Sequence, residues 1–138
     1  VYGPWGRPDM AIFSFTNAIV DDRPIQIFNH GDMRRDFTYV DDIVSGIIAA
    51  LQHAHPYEII NLGNNDPVVL SRLVELLEQE IGKNATKEFL PLQPGDVVET
   101  YADIARAKEK LGWQPTTSIE EGIKSFVDWY KHYYGNKG

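Results

Sequence analysis

The stretch PIQIFNHGDMRRDFTYVDDIV, residues 24–44, changes its hydrophobic period partway along. Pro24–Phe28 has the apolar, branched character of a short strand, and Asp36–Val40 reads as a second one. Between them Asn29–Arg35 is polar and contains Gly31, as a loop would. Asp41 or Asp42 then starts a second apolar helix over roughly Ile43–His53. Strand, loop, strand and helix within so short a run point to an α/β chain.

The same alternation continues outward. Upstream, residues 1–8 (VYGPWGRP) form a loop, Asp9 can N-cap a helix to about Val20, and DDRP turns the chain into the strand. Ile12, Phe13, Phe15, Ala18 and Ile19 leave that first helix little polar face. Downstream, EIINL (residues 58–62) reads as a buried strand ended by the turn residues GNNDP. Ser71 is placed to N-cap a helix to Ile81, with Leu73, Val74, Leu76, Leu77 and Ile81 on its apolar side and Gly82 to end it. Phe89–Leu92 is a further strand, QPGD at 93–96 a turn, and Asp103 a cap for a short helix ending at Leu111-Gly112. Ser118-Ile-Glu-Glu121 is a capping box, behind which Ile119, Ile123, Phe126, Val127 and Tyr130 recur at helical spacing before a tail, YYGNKG, expected to fray. Strands this few and scattered do not make a complete parallel sheet, so the chain reads as the end of an α/β protein. Its opening, Val-Tyr-Gly-Pro without Met, is what a piece of something longer would show.

Composition narrows the partners. The 138 residues carry 13 Lys+Arg against 20 Asp+Glu, a net charge of −7, which argues against general binding to nucleic acid or to an anionic membrane. No apolar run approaches the roughly 20 residues that span a bilayer, and no signal peptide is recognised. Without Cys there is no disulfide, thiol nucleophile or thiolate metal site.

Three places could carry chemistry. Arg34 and Arg35 make a local positive point in an acidic chain, and a guanidinium offers paired donors to the oxygens of a phosphate or carboxylate. The plain alternative is surface pairing with Asp32 and Asp36. If the pair lies in a strand, the two side chains take opposite faces and at most one enters a shared pocket. Arg7, between Gly6 and Pro8, sits in a stiff loop, as either a ligand-side or an ordinary loop arginine. Asp96 after Pro94-Gly95 could accept hydrogen bonds from a sugar diol or from its own backbone. GPWGRPD lacks the third Gly of a phosphate-binding loop, and His53-Ala-His55 lacks a third metal ligand. Tyr133 and Lys137 share the spacing of a hydride-transfer Tyr-Lys pair only by chance, with Gly135 between them. Asp21/Asp22 and Asp41/Asp42 lie in a turn and at a helix start, away from paired acid–base work. The chain reads as a portion that binds rather than one that reacts.

Five blocks in order carry a family resemblance: VYGPWGRPDM, PIQIFNHGDMRRDFTYVDDIV, YEIINLGNND, QPGDVVETYAD and KLGWQPTTSIEEGIKSFVDWY. Together they resemble the C-terminal half of the extended short-chain dehydrogenase/reductases that act on nucleotide sugars, and within that family most of all the UDP-glucuronate 4-epimerases. The resemblance implies that residues 1–138 are the C-terminal nucleotide-sugar-binding portion, with an incomplete Rossmann sheet and the NAD-binding domain N-terminal to Val1. It implies NAD as cofactor: C4 oxidation, rotation of the 4-keto sugar and re-reduction, with the Tyr-Lys pair and glycine-rich loop outside this chain. It also implies a cytoplasmic enzyme, homodimeric when intact.

Carried over residue by residue, the resemblance puts Gln26 and Phe28 beside uracil, Arg35 on the diphosphate with Arg34 turned away, Asp96 on the ribose, and Arg7 on the substrate side. Gln93 stands where UDP-glucose 4-epimerases carry a second phosphate-binding Arg, which favours the glucuronate branch. The alternatives are UDP-glucose epimerisation, or nucleotide-sugar dehydration or decarboxylation, in the same family. An alternative of another class is a non-catalytic nucleotide-sugar-binding or scaffold module. Residues 58–62 and the apolar helices 9–20 and 43–53 are expected to face the absent domain. The isolated chain is therefore expected to expose apolar surface, self-associate, and bind UDP weakly or not at all.

Overall fold

The last helix forms as its sequence dictates. Ser118 Oγ accepts the Glu121 amide at 3.3 Å while the Glu121 carboxylate accepts the Ser118 amide at 3.1 Å, the reciprocal pair of a capping box. This computed structural model, which describes residues 1–135, runs α1 (Ala11–Val20), β1 (Ile25–Phe28), β2 (Arg34–Arg35), α2 (Val40–Gln52), β3 (Val68–Val69), α3 (Leu70–Ile81), β4 (Lys87–Leu90), β5 (Glu99–Thr100), α4 (Ala105–Leu111) and α5 (Ile119–Gly135). The class is α/β, as expected.

The main core lies where α1, α3 and α5 meet β1. Leu73, Val74, Leu76 and Leu77 of α3 and Ile119, Ile123, Phe126, Val127 and Tyr130 of α5 are all buried, as their spacing requires. Gly82 ends α3 in the left-handed region at φ 81°, where glycine has no Cβ penalty. Phe13 of α1 sets its ring 5.7 Å from Phe126, and the Tyr130 hydroxyl donates to Asn17 Oδ1 at 2.7 Å. β1 pairs in parallel with β4, so Ile25 and Ile27 enter the core while Gln26 and Phe28 take the other face. A second, three-stranded sheet places β2 between antiparallel β3 and parallel β5.

Helix α2 is held differently. Its buried Asp42 accepts the amides of Thr116 and Thr117, each at 3.0 Å, and the Thr116 hydroxyl at 3.1 Å. Gly46 lets Leu62 and Trp113 approach the helix closely. Val44, Ile47 and Ile48 are left about half exposed, and Leu51 is 77% exposed. No helix among the described residues is long and apolar enough to cross a membrane.

Several local expectations are corrected. Asp9 does not cap α1: Met10 holds that position, and the Asp9 carboxylate takes Arg7 instead. Ser71 falls within the first turn of α3, after Val69. Residues 36–40 are not a strand. The ladder sits two residues upstream at Arg34–Arg35, and Tyr39 makes only a single bridge to Tyr2. Residues 58–62 join no strand ladder among the described residues, with Ile59 66% exposed and only Ile60 and Leu62 packed on the small cluster of Ile104, Ala107, Leu111 and Trp113. Nor does α1 wait for another domain, since Ile12, Phe13, Ala18 and Ile19 are buried in this chain's own core. α5 continues through Tyr133 to Gly135 rather than fraying, and Lys137 with the rest of the tail lies outside the described residues.

Candidate functional site

β1, β2 and the QPGD turn converge on one cavity of about 430 Å³. The period of two along β1 brings Gln26 and Phe28 to it from the face opposite the core. On β2 the same alternation separates the arginines: Arg35 lines the cavity, whereas Arg34 is exposed and takes no part. Gly95, at φ 85°, turns the chain so that Asp96 reaches the same wall. Phe15, Phe37 and Met33 supply apolar lining. Four of the five site residues expected from the sequence therefore share one cavity.

Arg35 does not pair with Asp32 or Asp36. Its Nη2 donates to Asp96 Oδ1 at 3.3 Å, and its Nη1 donates to the carbonyls of Arg34 at 2.9 Å and Val98 at 3.2 Å. Its side chain keeps 27% exposure, enough to meet a ligand. Arg7, the fifth residue, stands outside the lining. Its Nε donates to Asp9 Oδ1 at 3.1 Å, and it is Asp9 that lines the cavity. The Arg7 hydrogen bond holds the Asp9 carboxyl below its usual range, and Asp9 in turn raises the guanidinium above its own.

Tyr2 also borders the cavity, but as structure. It is buried, its backbone bonds to Thr38 and Val40 at 3.0 and 2.9 Å, and its ring end sits over Gly122. Burial, followed by the nearby Tyr39, Asp42 and Glu120, pushes its phenol well above the ordinary tyrosine value. The cavity thus offers a fork of guanidinium donors for an oxyanion, a carboxylate acceptor for hydroxyls, and aromatic walls for a flat ring.

Asp36 stands just beyond β2 and also reaches the cavity, which spacing along the strand does not foresee because the ladder ends at Arg35. It borders this cavity and a second, shallower one of about 490 Å³ between residues 60–63 and 100–102. Asp9, expected as a helix cap, lines the cavity instead and takes Arg7.

The sequence model of the GDP-mannose 4,6 dehydratase family matches residues 8–126. The chain belongs to the extended short-chain dehydrogenase/reductases of nucleotide sugars. Within this family it is 51% identical to a UDP-glucuronate 4-epimerase of Thermodesulfobacterium geofontis, over 95% of this chain and 41% of that one. UDP-glucuronate 4-epimerase 1 of Arabidopsis thaliana is 45% identical, over 98% of this chain and 35% of its own length. The crystal structure of UDP-glucuronic acid 4-epimerase from Bacillus cereus, in complex with UDP-glucuronic acid and NAD, superposes with a TM-score of 0.89 at 38% identity, over 96% of this chain and 43% of that chain. The chain spans less than half the length of these family members.

Proposed function

We propose that this chain is the C-terminal, nucleotide-sugar-binding portion of an NAD-dependent UDP-glucuronate 4-epimerase. The observation that carries the reading is the convergence of Gln26, Phe28, Arg35 and Asp96 on one cavity. Gln26 and Phe28 hold the uracil, Arg35 the diphosphate, and Asp96 the ribose hydroxyls. Arg7 reaches the substrate by leaving Asp9. These residues bind and orient; a hydride acceptor and donor at sugar C4 is what NAD supplies. The glycine-rich strand–loop–helix that cradles a dinucleotide is expected in the N-terminal domain of the intact protein.

In the intact, NAD-loaded protein, UDP-glucuronate is expected to interconvert with UDP-galacturonate, followed by chromatography of the nucleotide sugars. Turnover of UDP-glucose with UDP-glucuronate untouched would move the assignment within the family. Inertness toward every UDP-sugar together with retained UDP binding would favour a binding module. Gln93, in place of an arginine that would add charge, supports the glucuronate branch.

The exposed face of α2 supports the reading that another domain covers it in the intact protein. By itself the chain is expected to self-associate through Val44, Ile47, Ile48 and Leu51, with Leu51→Asp shifting it toward monomer in sedimentation velocity at about 50 μM. A wild-type chain that sediments as a clean monomer at that concentration would remove the support α2 lends.

A further inference from the structure

The segment 96–102 that brings Asp96 to the cavity is poorly held by packing. Residues 96–101 are all exposed, and β5 is only two residues long. Besides the two-residue β5 ladder on Arg34–Arg35, what fastens it to β2 is polar and lies at its two ends. At the upstream end the Arg35 guanidinium donates to Val98 O and Asp96 Oδ1 at 3.2 and 3.3 Å, and the Arg34 amide donates to Val98 O at 2.8 Å. At the downstream end the Ala102 amide donates to Asp36 Oδ2 at 2.9 Å. The same oxygen accepts the Asn65 amide at 3.1 Å, so one carboxylate oxygen ties together the ends of β2 and β5 and the loop that leads into β3.

The two fastenings differ in kind. An oxyanion that engages Arg35 competes with the side-chain part of the upstream one, because it draws on the same guanidinium that bonds Asp96 and Val98. The downstream one is independent of Arg35. Without it, ligand capture would leave the segment carrying Asp96 held only by the Arg34 amide and the two-residue β5 ladder. Gly63 preserves the clamp: a Cβ there would fall 2.4 Å from Ala102 Cβ and 3.0 Å from Asp36 Oδ2. Asp36 Oδ1 is buried with no donor among the described residues, so the clamp uses only one of the two oxygens.

We propose that Asp36 is a positioning residue whose carboxylate holds residues 96–102 against β2, so that Arg35 and Asp96 keep facing the same cavity when a nucleotide diphosphate occupies it. This rests on the nucleotide-sugar reading for the ligand alone; the clamp itself acts in the free chain. Because one oxygen does the holding, Asp36→Asn keeps an acceptor for Asn65 and Ala102, its NH2 standing where the buried second oxygen has no donor.

The test is made on the 138-residue chain without ligand. In Asp36→Ala the Arg34 amide is expected to exchange with deuterium about tenfold faster, as the loss of one hydrogen-bonded fastening allows. Nitrogen relaxation at Arg35 Nε should report a freer guanidinium, while the amides of α5 stay within about twofold of wild type. Asp36→Asn should restore wild-type behaviour, and Gly63→Ala, which pushes Ala102 off an intact carboxylate, should reproduce Asp36→Ala. Unchanged exchange at Arg34, equal acceleration through the whole chain, or an Asp36→Asn chain as loose as Asp36→Ala would each overturn the proposal. The outcome is separable from the ligand reading. If Arg34 and Arg35 respond as stated while the intact protein leaves UDP-sugars unbound, Asp36 keeps its role and the nucleotide assignment falls.

Discussion

Phe126→Ala is expected to destabilise the chain by about 3–5 kcal/mol, read as a drop of roughly 10–15 °C in the unfolding midpoint. Phe126 is 1% exposed, and its ring meets Phe13 at 5.7 Å, Trp129 at 5.8 Å and Tyr130 at 6.3 Å. Truncation removes the ring and leaves a hole between three helices that cannot all close on it. The surrounding rings are anchored independently: Tyr130 by its hydroxyl on Asn17, Trp129 by stacking on Tyr133 at 5.6 Å and 10°. That anchoring limits collapse and places the expected loss in the upper part of the range for large-to-small changes. A measured loss under 1 kcal/mol would mean that the helices do not share this core.

Arg35→Ala is expected to weaken binding of the UDP-sugar by the intact protein by about 2–4 kcal/mol, roughly 30- to 900-fold, as is usual when one partner of a hydrogen-bonded charge pair is removed. Two things enlarge the effect. The diphosphate loses its paired donors, and Asp96 loses the cation beside it, so a carboxylate is left facing phosphate oxygens. Arg35→Lys keeps the charge but not the fork and should recover only part of the loss. Arg34→Ala is the internal comparison. Its side chain lies on the opposite face of the same two-residue strand, and binding should change less than threefold, within the small range of surface substitutions. Calorimetry with UDP on both variants decides it. Equal losses at Arg34 and Arg35, or none at either, would dissolve the assignment of the diphosphate to β2.

What the sequence makes legible here is what local chemistry controls. The capping box at Ser118–Glu121, the Gly82 and Gly112 helix ends and the apolar spacing of α3 and α5 are each decided within a few residues, and each is observed. The resemblance groups Gln26, Phe28, Arg35 and Asp96, and all four line one cavity, the first three through the alternation of β1 and β2 and Asp96 through the turn at Gly95. The misreadings have the opposite character. Residues 36–40 alternate like a strand, but a strand needs a partner, and β2 finds Val68–Val69 and Glu99–Thr100 some thirty to sixty-five residues away. Residues 58–62 have strand composition and no partner among the described residues. Asp9 stands where an N-cap belongs, but an arginine two positions back outcompetes the helix amides for its carboxylate. Composition cannot foresee such competition, because both outcomes satisfy the same side chain.

Each arginine near the cavity already rests on an aspartate, Arg35 on Asp96 and Arg7 on Asp9. A simple anion arriving there shares its guanidinium with a carboxylate that repels it from a few ångströms away. A ligand that carries hydroxyls alongside its phosphates meets no such obstacle, since the hydroxyls give the displaced carboxylate a new donor. In the proposed reading the paired acids favour a ligand that brings hydroxyls with its phosphates, because inorganic phosphate and plain polyanion offer the carboxylates no donor.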